Sequence, residues 1–452
     1  MTAMQPRSLR ILQGLAASLS LLAMAPAKAG PDIQHWVADT GARVYFVESR
    51  ALPMVDVQVS FAAGSAYDPA DKAGLAALTR SLLDAGTAGL DEQAIADRTA
   101  DIGAQIGGGT DDDRASLSVR TLSSPAERDA AVALAAELLA RPAFPREVLE
   151  RERERGIAAL REALTQPSSL AARSFSSAVF GDHPYGRITT EASLTAIARE
   201  DLLRFHRQHY VAQRASVAIV GDVSRAEAAA MAERLTAGLP AGEPAAPLPA
   251  PAQPERRSIR VDHPSAQAHL LIGLPGMARQ DPDYYPLLVG NYVLGGGGFV
   301  SRLTREVREK RGYAYSVYSY FAPQRVAGPF QIGLQTRGAQ VADALAVVEQ
   351  TLAGFIAAGP TAEELQAARD NIINGFGLRL DSNRKILDYV AMIGFYELPL
   401  DWLDTYPQHV AAVTAEAVRD AFARRVRPEH LVTVIAGGSG DRDGTSTGGT
   451  AE

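Results

Sequence analysis

The chain contains no cysteine in 452 residues, which excludes disulfides and thiolate metal sites. Stability must therefore come from the hydrophobic core. Histidine is scarce as well, at eight residues, and only His206 and His209 in "FHRQHY" are closely spaced. Two histidines three apart on a helix can share a metal, but no third ligand stands near them. That pair reads as packing and capping at a helix end, and His183 in "GDHPYG" as a loop-structuring residue. Positive charge is in deficit, with a formal net charge of −7. An acidic body argues against a polyanionic partner such as nucleic acid.

Long apolar runs are missing beyond the first 29 residues, and no later membrane span is expected. Within those 29, Arg7 and Arg10 precede "ILQGLAASLSLLAMA", which ends in the small-residue site Ala27-Lys28-Ala29. This pattern predicts a signal peptide over 1–29, cleaved before Gly30, and an exported, periplasmic protein. A membrane anchor is the alternative, but the run is short and rich in Ala and Ser. Residues 1–29 carry Arg7, Arg10, Lys28 and no acid, so cleavage moves the net charge from −7 to −10.

What remains has ordinary globular composition, 46% hydrophobic and 21% charged, and is long enough for two or more domains. The Pro/Ala-rich "LPAGEPAAPLPAPAQPE" predicts a stiff linker over 239–256. It separates an N-terminal domain, 30–238, from a C-terminal one, 257–438. The Gly-rich residues 439–452 read as a disordered tail. The two parts repeat one pattern. Asp68-Pro69 recurs as Asp281-Pro282, 213 residues on, and Gly221 recurs as Gly437, 216 residues on. Between these marks both parts run through a strand, a helix, a hairpin-like alternation of apolar and polar residues, Ala-rich helices, and a closing helix and strand. The fold class expected is α+β, in two homologous domains, each an antiparallel sheet with helices packed on it.

Four local motifs, "FAAGSAYDPADKAGLAAL", "HPYGRITT", "FHRQHYVAQRASVAIVGDV" and "SRLTREVREKRGYAYSV", occur in an order that resembles the pitrilysin/insulinase family of zinc metallopeptidases, in its bacterial, processing-peptidase-like branch. The resemblance covers about Val44 to Gly437. Active members carry H-x-x-E-H on the first helix of the first half. Positions i and i+4 share a helical face and can hold one metal, and the Glu at i+3 can take a proton from metal-bound water. The matching segment here is "KAGLAALTRSLLDAGT". The ligand positions fall on Ala77 and Ser81 and the base position on Arg80. Alanine cannot bind zinc, serine is a poor ligand, and a guanidinium repels a cation. The third family ligand points into "GIAAL", around Ile157 to Ala159, where no carboxylate stands. No metal is expected in this chain.

One further stretch invites a functional reading: "GGGGFVSRLTREVREKRGYAYSVYSY", Gly295 to Tyr320. It lacks the Lys-Ser/Thr of a phosphate loop and is no G-x-G-x-x-G. Arg302, Arg305 and Arg308 lie at helical spacing with Glu306 and Glu309 between them, which predicts a solvated, ion-paired helix face. Tyr313 and Tyr315 are expected on one face of a following strand, and Tyr318 and Tyr320 on the other, as packing or peptide-wall residues. Gly295, Gly296, Gly297 and Gly298 are either a bend permitting close packing or, as the resemblance implies, a flexible substrate loop.

The resemblance also implies that Arg308 and Tyr315, seven apart, act in trans at a zinc site. They would donate hydrogen bonds to a scissile carbonyl as it becomes an oxyanion. The chain is thus expected to be a non-catalytic subunit, without activity alone, of an exported heterodimeric peptidase. Its homologous partner would bear H-x-x-E-H and the zinc, and the substrate would be an unfolded peptide. The alternative is a binding or assembly protein that kept the fold without a part in proteolysis.

Overall fold

The computed structural model describes residues 30–240, 242–243 and 245–439. The expected signal peptide lies outside these residues, as do tail positions 440–452 and linker positions 241 and 244. Two mixed sheets organise the rest. The first contains β1 (Gln34–Val37), β2 (Arg43–Glu48), β3 (Met54–Phe61), β4 (Gln105–Gly107), β5 (Ala115–Leu122) and β6 (Ser216–Gly221), in the order β1-β2-β6-β3-β5-β4. The second contains β7 (Arg257–Val261), β8 (Gln267–Met277), β9 (Val317–Phe321), β10 (Gly328–Arg337) and β11 (Val432–Gly437), in the order β7-β11-β8-β10-β9. The protein is α+β, as its patterning predicts. The sheets are not purely antiparallel, however. β6 runs parallel to β2, and β11 parallel to β7. In each case a long helical excursion separates the partners, so the closing strand can return in the direction of the opening one.

The repeat is a duplication of register as well as of order. β3 pairs with β6 through Val55 opposite Gly221 and Ser60 opposite Ser216. β8 pairs with β11 through Ala268 opposite Gly437 and Gly273 opposite Val432. Both pairings preserve the offsets of 213 and 216. The two glycines are held by sterics: Gly221 has φ +155° and Gly437 φ +85°, and a Cβ would lie 2.4 Å from the Met54 carbonyl oxygen in one and 2.5 Å from that of Gln267 in the other.

Each sheet borrows a helix from the other half. The Pro167–Phe180 helix precedes the linker yet packs on β8 and β11, where Ala171, Phe175 and Val179 bury against Leu271, Val432 and Val434. The Asn383–Tyr396 helix follows the linker yet packs on β6, β3 and β2, where Leu387, Val390 and Ala391 share a core with Tyr45, Val47, Ala218 and Val220. The two helices are themselves repeat equivalents, since residue 167 to 383 and residue 180 to 396 are both 216 apart. β6 and β11 are buried along their whole length, which is why they read as unbroken apolar runs. The expectation that each domain covers its own sheet is corrected here. A helix's apolar stripe records that it is buried, not which sheet it covers.

Polar contacts lock the exchange. The Asp113 carboxylate is 1% exposed and accepts from the Tyr185 hydroxyl of the first half. It also accepts from the Tyr396 hydroxyl (2.8 Å) and the Arg325 backbone N–H (2.8 Å) of the second. Burial, reinforced by the Asp113 charge, pushes both phenols well above their ordinary range, so each remains a donor. The linker is pinned as well. His183 accepts from the Tyr185 N–H through Nδ1, so its Nε2 carries the proton and donates to the Pro249 carbonyl (2.9 Å). Among the described residues one helix, Gly338–Ala358, is long and apolar enough by length and composition to cross a membrane. In this fold it buries Val341, Ala344, Val348, Leu352 and Phe355, a helical stripe, in the second core.

Two outcomes follow from the interlock. A Cβ on Gly394 would lie 2.6 Å from the Tyr45 ring and 2.7 Å from the Ser216 hydroxyl. Gly394→Val is expected to cost about 1–3 kcal/mol, read as a lower midpoint in urea denaturation. An unchanged midpoint would mean that the helix does not sit on the first sheet. Asp113→Ala strands two buried phenols and is expected to cost at least about 2 kcal/mol. Full stability in that variant would remove the junction role.

Candidate functional site

The segment aligned with the zinc motif forms the Leu75–Ser81 helix. Asp68 starts it: the buried carboxylate accepts from the Gly74 and Ala76 N–H groups, each at 2.7 Å. Burial pushes this carboxyl up to about 6, against the opposing pull of those bonds. The helix packs on the Arg199–His209 helix, on β5 and on the Arg146–Ala163 helix, all of the first half. Ala77 and Ser81 are exposed and share its outward face, as i and i+4 positions must. Arg80 points the other way. It is 6% exposed, its Nε donates to the Ser116 carbonyl on β5, and a Cβ on Gly108 would come within 2.7 Å of its Nη2. Arg80 is thus a structural cation in this chain. Around Ile157 to Ala159 the Arg146–Ala163 helix offers only Ile, Ala and Ala. A methyl group, a hydroxyl and an inward-turned guanidinium do not fit a zinc ion. Among the described residues no three His, Cys, Asp or Glu side chains group as a metal site.

His206 and His209 are packing residues. Nε2 of His206 donates to the Leu139 carbonyl (2.8 Å), and its ring stacks on Tyr210. His209 Nδ1 meets the Ala62 carbonyl (3.2 Å) between Phe205 and Tyr67. Burial brings both imidazoles down to about 4, so both are neutral near pH 7.

The glycine run begins inside one π-helical turn, Tyr292–Gly296, and precedes a second, Thr304–Glu309. Such turns are rare and concentrate at functional sites. Gly295 is buried, and a Cβ there would lie 2.5 Å from the Ser319 hydroxyl of β9. At Gly297 a Cβ would lie 2.7 Å from the Tyr292 carbonyl oxygen. Gly298 takes φ +61° and opens a 3₁₀ turn, Gly298–Val300, whose tip exposes Phe299 (70%) and Val300 (68%). Close packing accounts for the first three glycines and backbone conformation for the fourth.

The expected ion-paired α-helical face is replaced by a different arrangement. Arg302 forms a bidentate pair with Glu364 (2.9 and 2.5 Å), not with Glu306. Glu306 takes Lys310 (2.8 Å) and, at the i+5 spacing of a π turn, Arg311 (3.0 Å). Arg305 lies near both Glu306 and Glu364. Arg308 has no carboxylate partner among the described residues. Its Cζ lies over two aromatic rings, 4.9 Å from the Phe299 centroid and 5.0 Å from that of Tyr315.

Tyr315 is 85% exposed, the most exposed large apolar or aromatic side chain among the described residues. Its strand assignment is corrected. β9 begins at Val317, so Tyr313 and Tyr315 lie in the irregular segment before it. That segment is anchored on either side of Tyr315 by buried Ala314 and Val317, and by the Thr336 hydroxyl, which donates to the Tyr313 carbonyl (2.6 Å). Tyr318 and Tyr320 do share one face of β9, stacked 6.1 Å apart, with Tyr318 lying over Gly333 of β10. The structure therefore joins Arg308 and Tyr315 in one exposed cluster on the second half, while Ala77, Arg80 and Ser81 belong to the first. Phe299 completes the cluster and is not singled out by sequence. Its one signal is an aromatic residue directly after four glycines.

Two family models cover most of the chain: "Insulinase (Peptidase family M16)" at residues 43–193 and "Peptidase M16 inactive domain" at 196–372. The fold superposes with a TM-score of 0.86 on the crystal structure of a peptidase M16 inactive domain from Pseudomonas fluorescens, at 37% identity over 90% of this chain and 98% of that one. An uncharacterized zinc protease of Streptomyces coelicolor is 32% identical over 56% of each chain, so the match spans little more than half of that relative. A Helicobacter pylori protein described as a non-peptidase homolog is 24% identical over 87% of this chain and 91% of its own. With the duplicated register, the motif helix stripped of its ligands and these matches together, the chain belongs to the insulinase family, peptidase family M16, as a member of the inactive type.

Proposed function

We propose that this chain is the non-catalytic subunit of an exported, heterodimeric zinc metallopeptidase. A homologous partner bearing H-x-x-E-H holds the zinc, and this chain supplies Arg308 and Tyr315 to an unfolded peptide bound between them. The observation that carries this reading is the pair itself. An arginine with no carboxylate partner among the described residues stacks on a tyrosine that is 85% exposed. Neither arrangement contributes much to folding. A bidentate carboxylate would occupy the guanidinium's donors, as Glu364 does for Arg302. The stack leaves them free, and the Tyr315 hydroxyl is free beside them. Two such donors, fixed before the substrate arrives, fit a carbonyl oxygen that gains negative charge. The glycine run Gly295–Gly298 carries the adjoining turn, which in this reading borders the peptide. Export rests on the pattern of residues 1–29.

The test is turnover of an unstructured peptide by the reconstituted heterodimer. Arg308→Ala and Tyr315→Phe are each expected to lower kcat by about 100- to 1000-fold. The second variant keeps the ring and removes only the hydroxyl. Turnover equal to wild type in both would end this reading.

A second reading, a peptidase-fold assembly protein, is favoured by the likeness to the Helicobacter non-peptidase homolog. It predicts a stable homodimer that changes no peptidase activity when mixed with an H-x-x-E-H subunit.

A further inference from the structure

We propose that Phe299 is a positioning residue for Arg308, and that the glycine run serves the site through it. The inference rests on the role given to Arg308 above. A guanidinium can be fixed in two ways. A carboxylate binds the edge and occupies the N–H donors, whereas an aromatic face binds the plane and leaves the five donors on the rim available. Arg302 and Arg311 have their donors occupied in the first way, by Glu364 and Glu306, although the Arg302 guanidinium also lies over the Phe355 ring. Arg308 is held in the second, with its Cζ over the rings of Phe299 and Tyr315 at 4.9 and 5.0 Å from their centroids.

Phe299 reaches that place only because of the glycines before it. Gly297 has no room for a side chain beside Tyr292, and Gly298 takes a left-handed conformation. Together they turn the chain so that the 3₁₀ turn Gly298–Val300 sets Phe299 over the guanidinium. Phe299 is 70% exposed, so core packing does not account for its placement. Cation–π attraction follows the strength of the ring's quadrupole, with Trp above Phe, and vanishes for an aliphatic side chain of similar bulk. Leucine therefore separates the π contribution from simple filling of space.

Two measurements test the proposal. In the full-length chain labelled with nitrogen-15, the Arg308 Nε–H resonance, identified by its loss in Arg308→Lys, is expected upfield under the ring currents. It should move downfield in Phe299→Leu and stay upfield in Phe299→Trp. In the reconstituted heterodimer, Phe299→Leu is expected to lower kcat about three- to tenfold at unchanged KM. Phe299→Trp should retain wild-type turnover. An unmoved resonance in Phe299→Leu overturns the proposal, whatever the activity. So does wild-type turnover in Phe299→Leu when Arg308→Ala is impaired, and that result spares the role of Arg308. Wild-type turnover in Arg308→Ala removes the role of Arg308 and with it anything for Phe299 to position.

Discussion

The structure depends on a reciprocal exchange of helices between two copies of one unit. Neither sheet is covered on both faces by its own half. The Pro167–Phe180 helix closes the second sheet and the Asn383–Tyr396 helix closes the first. An unpaired half would leave a continuous apolar face on its own central strands, β6 or β11, which are buried from end to end. The two halves are therefore one folding problem rather than two. Asp113 concentrates that dependence in a single carboxylate, with one phenol donor from each half and a backbone donor from the second. Its partners all sit at the seam, so the carboxylate is satisfied only when the helices have crossed.

Within that frame the Leu75–Ser81 helix is held by a cap and by a core. Asp68 fixes its first turn, and Leu75, Ala76 and Leu78 are buried beneath it. Arg80 ties its last turn to β5 through the Ser116 carbonyl. The guanidinium would be costly in this place without an acceptor. With one, and with Gly108 leaving it room, it replaces a functional constraint with a structural one.

Much of this was open to reading in the sequence, and the rest was hidden for definite reasons. The duplication was legible because Asp68/Asp281 and Gly221/Gly437 each mark a site where the backbone needs that residue, and such needs recur with the fold. The helix exchange was not, since amphipathic periodicity carries no address. The π turns were not either: Arg302, Glu306 and Arg311 look like members of an α-helical ladder, and one extra residue per turn re-pairs them all. Tyr315 lies against Arg308 but ahead of β9 rather than on it. Alternation over "AYSVYSY" resembles a strand two residues before the hydrogen bonds of one begin.

The two arginines at the centre of the reading, Arg80 and Arg308, show how environment divides the same side chain between structure and chemistry. Arg80 is buried, donates to a backbone carbonyl and faces the sheet, so it holds a helix. Arg308 lies over two exposed rings and pairs with no carboxylate among the described residues. In the proposed alignment a metal site in the first half lies more than one substitution away. Two ligands and a base would have to replace Ala77, Ser81 and Arg80, a third ligand would have to enter the Arg146–Ala163 helix, and removing Arg80 would leave the Ser116 carbonyl and the space beside Gly108 without their occupant. The second half keeps the Arg308 guanidinium clear of any carboxylate among the described residues and Tyr315 exposed, and the proposed pairing with a second subunit rests on that contrast.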